Sequence, residues 1–197
     1  MNKFFTTLIA VFAISASAFS QTKGTNEVSV NVGYNASTVT ASNLTADYKS
    51  GFNAGIAVDH YFSDSWSIKV KAAYDQKGWA NGYFGSSAAD YKLDYVTVPV
   101  MANWHFGRTK NWYLNFGPYI GFLLTASETS NGTDVKSVFS TTDAGLDVGI
   151  GIKFPVSNKA KFFIELNGQG GITDINKSNT GTTIRNSVSN INIGFAF

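Results

Sequence analysis

The chain has no cysteine, only three prolines and two histidines, and few charges. Without cysteine there can be neither a disulfide staple nor a lipid-modified thiol behind a leader. The histidines, His60 and His105, are not spaced as metal ligands, and no acidic cluster surrounds a glycine turn. Charged residues make up 14% of the chain, with acids and bases nearly balanced and interspersed, so no electrostatic footprint for nucleic acid exists. No interior stretch approaches the ~20 apolar residues of a membrane-spanning helix. The Ala, Leu, Glu and Lys abundance of a helical bundle is missing too. Gly, Asn, Ser, Thr and aromatic residues are plentiful instead, a mixture suited to twisted strands joined by polar loops.

The first residues read as an export signal. Lys3 supplies the positive end, residues 4–14 a short apolar core, and residues 15–20 are small apart from Phe19. Cleavage after Ala18 or Ser20 fits, with Gln21 the preferred start. Residues 1–20 are therefore expected to be a cleavable signal peptide, and residues 21–197 a single domain.

Beyond the leader the dominant signal is a period of two. Trp112, Leu114, Phe116, Pro118, Ile120, Phe122 and Leu124 are large and apolar, and the residues between them are mostly small or polar. The pattern returns at Ala144 to Phe154, at Phe162 to Leu166, and at Ile191, Ile193, Phe195 and Phe197. Such alternation gives each strand one apolar face. Eight segments follow it, near residues 26–36, 50–62, 66–78, 91–106, 111–125, 141–154, 161–173 and 184–197. Short turns (63–65, 107–110, 155–160) alternate strictly with long polar connections (37–49, 79–90, 126–140, 174–183). The expected fold is an all-β, transmembrane, up-and-down antiparallel barrel of about eight strands. It would sit in a bacterial outer membrane with both termini of the mature chain in the periplasm.

Two side-chain sets sharpen this expectation. Trp66, Trp104, Phe106, Trp112, Phe154, Phe162, Phe195 and Phe197 fall beside short turns or the C-terminus and share the apolar phase, as a membrane-interface girdle does. Tyr34, Phe52 and Tyr74 suggest a second belt near the long connections. The opposite phase carries Asp59, Lys69, Lys71, Asp75, Asp147, Lys153 and Glu165, with Asn31, Asn53, Asn103, Asn115, Asn167 and Gln169. About eight strands leave an interior that side chains simply fill, so these charges are expected to form a compensating polar network rather than a pore lining. A change of phase between Asp94 and Val96, from a bulge or an extracellular extension, and a local bulge at Pro99 are expected in the fourth strand.

The run Leu93-Asp94-Tyr95-Val96-Thr97-Val98-Pro99-Val100-Met101 resembles the outer-membrane β-barrel domain proteins of Bacteroidetes, the PorT-like or porin-family proteins. Residues 117–124 (Gly-Pro-Tyr-Ile-Gly-Phe-Leu-Leu), Phe163-Ile164-Glu165-Leu166 and the stretch 170–175 are similar to later strands of that family. The resemblance covers the whole mature chain. It implies location and architecture, and it allows an accessory role in an outer-membrane secretion or transport assembly.

No catalytic or cofactor-binding residue emerges. Both histidines fall beside short turns, far from the outer rim where a lipid-modifying barrel would need one. Asp143 and Asp147 read as ordinary barrel polar residues. Surface loops with Tyr48, Trp79, Tyr83, Phe84 and Phe139 are the places where recognition would live. The expectation is a small non-enzymatic barrel with a side-chain-filled lumen and a structural or surface-loop binding role; a lipid-modifying enzyme is the distant alternative. Its expected partners are outer-membrane lipid and the barrel-assembly machinery, addressed through the terminal Phe197.

Overall fold

The computed structural model describes residues 23–41, 46–83, 88–177 and 183–197. The expected leader, Gln21 and Phe84 lie outside them, as does the side chain of Tyr83. Eight long strands form: β1 (Asn26–Ala41), β2 (Lys49–Tyr61), β3 (Trp66–Tyr83), β4 (Ala88–Phe106), β5 (Trp112–Glu128), β7 (Thr142–Pro155), β8 (Lys161–Gly171) and β9 (Ile184–Ala196). A two-residue strand, β6 (Thr133–Asp134), and one turn of 3-10 helix (Lys136–Val138) lie between β5 and β7.

All pairings are antiparallel, and β1 pairs with both β2 and β9 while β4 pairs with β5, so the sheet closes on itself. Closure removes the unpaired edges that would otherwise recruit other chains. One row of paired residues runs Asn26, His60, Ile68, Ala102, Phe116, Val148, Gly168, Ser189 and back to β1 at Ala36. The row leaves β1 at position 26 and returns at 36, a stagger of ten residues over eight strands, which tilts the strands as a closed barrel requires. The short turns lie at one end with the start of β1 and the end of β9; the long connections lie at the other.

The wall changes polarity along its height. Near the turn end, outward residues are apolar: on β4 they are Phe106, Trp104, Ala102, Val100, Val98 and Val96. Inward residues there are polar, as on β3 with Ser67, Lys69, Lys71, Asp75 and Lys77. Nearer the loop end the sense reverses. Outward positions become Thr38 and Thr40 on β1, Gln76 on β3, Lys92 and Asp90 on β4, and Ser189, Ser187 and Arg185 on β9. Inward positions become Val39, Trp79, Tyr91, Leu93 and Ile184, all buried. A wall that is apolar outside must face hydrocarbon, because exposed patches of this extent do not persist on soluble monomers. A wall that is apolar inside faces water. The barrel therefore has a membrane band topped by a collar with its own apolar core.

The collar explains why several strands run further than their sequence suggests. Residues 37–41, 79–83, 88–90 and 126–128, expected in connections, are strand. β3 and β4 reach 18 and 19 residues, against the ~9–11 of a tilted membrane strand.

Two local expectations need correction. β4 keeps a single phase, with inward residues alternating from Ala89 to His105. The register shift opposite Asp94 and Tyr95 instead places the extra residue in β5, whose inward residues pass from Leu123 to Ala126. Pro99 makes no bulge: the β3–β4 register is unchanged on either side of it, and the pairing merely lapses where its N–H is missing. Pro118 likewise coincides with a lapse toward β4. There a Cβ on Gly117 would stand 2.1 Å from the Val100 carbonyl oxygen, so only glycine fits.

Candidate functional site

The structure places all eight girdle residues outward around the turn end, seven of them in two strings of neighbouring aromatic rings. Trp66 stacks on Trp104 at 6.1 Å between ring centroids, Trp104 meets Phe106 at 5.0 Å, and Phe106 stacks on Trp112. Phe154, Phe162 and Phe195 form the second string, and Phe197 is exposed. Tyr34, Phe52 and Tyr74 also point outward, with Phe52 and Tyr74 5.5 Å apart. They mark the height at which the wall reverses polarity, below the loops rather than beside them.

The interior is filled in layers. Among the described residues six carboxylates turn inward (Glu27, Asp59, Asp75, Asp143, Asp147, Glu165) with five lysines (Lys69, Lys71, Lys77, Lys153, Lys161). At the turn end Glu27 pairs with Lys153 and with Lys161, the latter at 2.7 Å, and Lys153 also donates to the Tyr61 hydroxyl. Above them Lys69 lies between Glu165 at 3.5 Å and Asp59 at 3.9 Å. Asn115 and Asn192 donate to Glu165, and Ser67 and Asn103 donate to Asp59. An asparagine chain links Asn31, Asn53, Asn35 and Asn192. Asn167 and Gln169 donate to Asp147.

At the level of the polarity reversal, Lys77 meets Asp143 at 3.2 Å, both fully sealed from solvent. Asp143 also accepts from Tyr119 and Asn186, and the Lys77 ammonium lies over the Tyr119 and Tyr95 rings. Above this pair comes the apolar cap: Val39, Trp79, Tyr91, Leu93, Leu123 and Ile184 from the wall, Phe139 and Ile175 from the connections. Phe139 meets the Trp79 and Tyr91 rings edge-on at 5.8 and 6.2 Å. The two connections are stitched together by backbone bonds from Ser140 to Ile175 and from Lys177 to Val138.

All seven lumen residues named from the sequence lie inside the barrel, but the expected network omitted two hubs. Glu27 and the Lys77–Asp143 pair share the inward phase and could have been found by extending the alternation to the strand ends. Trp79 and Phe139 are not recognition residues on exposed loops; they are buried in the cap. Tyr48 is exposed. His60 points outward and bonds Asn26 at 2.7 Å, whereas His105 is buried between the Tyr61 and Tyr113 rings. The two concavities that stand out among the described residues lie on the outer wall, beside Val32, Phe52 and Ile193 and beside Leu114, Val148 and Leu166.

A family model described as "Outer membrane protein beta-barrel domain" matches residues 19–177. No curated protein matches the chain. Among solved structures the chain is similar to the outer membrane protein OprG of Pseudomonas aeruginosa, at 14% identity over 91% of this chain and 99% of that one, with a TM-score of 0.59. It is also similar to the Neisserial surface protein A, at 16% identity over 86% and 95% of the two chains, with a TM-score of 0.52. At such identities the likeness is one of fold.

Proposed function

The chain belongs to the outer membrane protein beta-barrel domain family, and from that premise we propose a small, non-enzymatic outer-membrane barrel whose lumen is sealed and whose collar carries surface loops. The observation that carries this reading is the double closure of the interior. Ion pairs cross the membrane band, and a fully buried aromatic cluster stands above them. Nothing wider than the side chains themselves is left by such a filling. In planar bilayers the purified protein is expected to show no steady channel; a large, constant single-channel conductance would overturn the reading.

The orientation follows the same logic. Short turns and both ends of the strand series share one end, which suits the periplasm, and the collar then stands outside the cell. Ile191, Ile193, Phe195 and Phe197 give β9 an apolar outward face ending in an aromatic residue, a form suited to reading by the barrel-assembly machinery. Deleting Phe197 is expected to reduce the heat-modifiable, membrane-inserted fraction several-fold. Normal insertion of the truncated chain would remove that role. The finer kinship with PorT-like Bacteroidetes proteins, and with it an accessory role in secretion, rests on the residue 93–101 run. It requires a stoichiometric partner on purification from native membranes.

A further inference from the structure

The chain contains three Asn-Gly steps: Asn81-Gly82, Asn131-Gly132 and Asn167-Gly168. In such a step the glycine nitrogen can attack the side-chain amide carbon of the asparagine, because no Cβ on the glycine obstructs the ring that forms. The attack needs an asparagine side chain free to turn, a backbone free to rotate beneath it, and a glycine N–H that is not tied into a ladder. The fold grants these conditions unequally.

Asn167 points into the barrel, where its amide donates to Asp147 and its carbonyl oxygen accepts from Asn190. Gly168 is laddered on both sides, opposite Val148 on β7 and Ser189 on β9. Asn81 is exposed but pinned: its amide donates to Asp47 at 2.8 Å and its backbone N–H to Asp90 at 3.0 Å. Gly82 is buried opposite Ala89 in the β3–β4 ladder and lies against the Trp79 ring. Rotating either asparagine into an attack geometry would break these bonds.

Asn131 and Gly132 are both exposed, in the four-residue turn between β5 and β6. The Gly132 N–H has no hydrogen-bond acceptor among the described residues, and nothing lies within 4 Å of the place a Cβ would occupy. Asn131 is held only by a 3.3 Å bond from its amide to the exposed Glu128 carboxylate. We propose that this turn is a self-modifying site, at which Asn131 deamidates while Asn81 and Asn167 are preserved by the fold. The Gly132 nitrogen loses its proton and forms a bond to the Asn131 Cγ. The bond from Cγ to Nδ2 breaks, and Nδ2 leaves with a proton as ammonia. Water then opens the succinimide at either carbonyl, giving aspartate or isoaspartate. No oxidant, cofactor or partner is required, and the rate rises with pH because the attacking nitrogen must lose its proton.

The product differs in charge. A neutral amide that donated to Glu128 becomes a carboxylate beside it, with Asp134 on the same hairpin. Only two residue pairs join β5 to β6, Ser127 with Asp134 and Glu128 with Thr133. Like charges placed together are unfavourable, so the modification loosens this hairpin and makes the loop end more acidic as the protein ages.

The test incubates the folded protein in lipid vesicles at mildly alkaline pH, then maps its peptides by mass spectrometry. Exchange of NH for O is expected at Asn131 at least several-fold faster than at Asn81 or Asn167, with isoaspartate detected by enzymatic methylation. In urea the three steps lose their structural differences and are expected to react at similar rates. Gly132→Ala is expected to slow the reaction at Asn131 several-fold, with heat-modifiable migration establishing that the variant is folded. Equal rates at the three sites in the folded protein overturn the inference. So does the same ranking retained in urea, which would assign the selectivity to sequence alone, or a Gly132→Ala variant that reacts undiminished.

Discussion

Lys77 and Asp143 sit at 3.2 Å in complete isolation from solvent, and their energetics depend on both being present. Removing one member leaves a buried charge with no opposite, so Lys77→Met is expected to destabilise the barrel by ~3–5 kcal/mol. The double variant Lys77→Met with Asp143→Asn is expected to recover most of that loss, since neither charge then remains. Urea unfolding in lipid vesicles, followed by tryptophan fluorescence, measures both, and equal stability of single and double variants would contradict the pairing. Tryptophan itself shows how position outweighs residue type in this fold. Trp79 is sealed against Tyr91 and Phe139, while Trp112 is 44% exposed on the outer wall. Trp79→Ala is expected to cost ~3–5 kcal/mol, as for a large side chain removed from a packed core. Trp112→Ala is expected to cost clearly less in the same assay, because lipid refills the space.

Strand pairing adds a rule in which inward aromatic rings rest on glycines of the neighbouring strand. Tyr113 pairs with Gly151 and Tyr119 with Gly145 across β5 and β7, and Phe163 pairs with Gly194 across β8 and β9. A Cβ on Gly151 would lie 2.3 Å from the Tyr113 ring, so Gly151→Val forces the ring or the strand aside. That variant is expected to abolish heat-modifiable folding, whereas Gly170→Ala, whose Cβ meets open space, is expected to fold normally. Alternation made the membrane part of each strand legible: Trp112 through Leu124 read directly as an outward face, and Lys69, Lys71 and Asp75 as an inward one. It failed where the barrel leaves the membrane. Trp79, Tyr91 and Leu93 follow the same period with the opposite solvent on each side, so a reading tied to hydrocarbon outside assigned part of that region to loops. Phe139 and Ile175 carry no periodic signal, because their burial is created by connections that close over the barrel from distant points in the chain. The bulge in β5 was misplaced for a related reason: a phase change belongs to a pair of strands, and sequence shows only one at a time.

For the molecule as a whole, the reversal of wall polarity supports a definite seating of the bilayer. In the proposed seating the girdle of Trp66, Trp104, Trp112 and Phe195 marks one boundary. Tyr34, Phe52 and Tyr74 mark the other, with Gln76, Ser187 and Lys92 already beyond it. Val148 faces outward between these belts and is 52% exposed, while Ser187 faces outward just past the second. An arginine carries the same charge to both heights but meets different solvents. Val148→Arg is expected to destabilise the inserted barrel by ~2–4 kcal/mol, the range for a cation near the bilayer midplane, and Ser187→Arg by only ~0–1 kcal/mol. Reversible urea unfolding in vesicles of one lipid composition gives both values on one scale. A soluble barrel would tolerate arginine equally at either position, and a band seated one belt higher would make Ser187→Arg the costlier variant. The difference between the two variants therefore tests the seating of the band, and with it the identification of the capped region above as a water-facing collar.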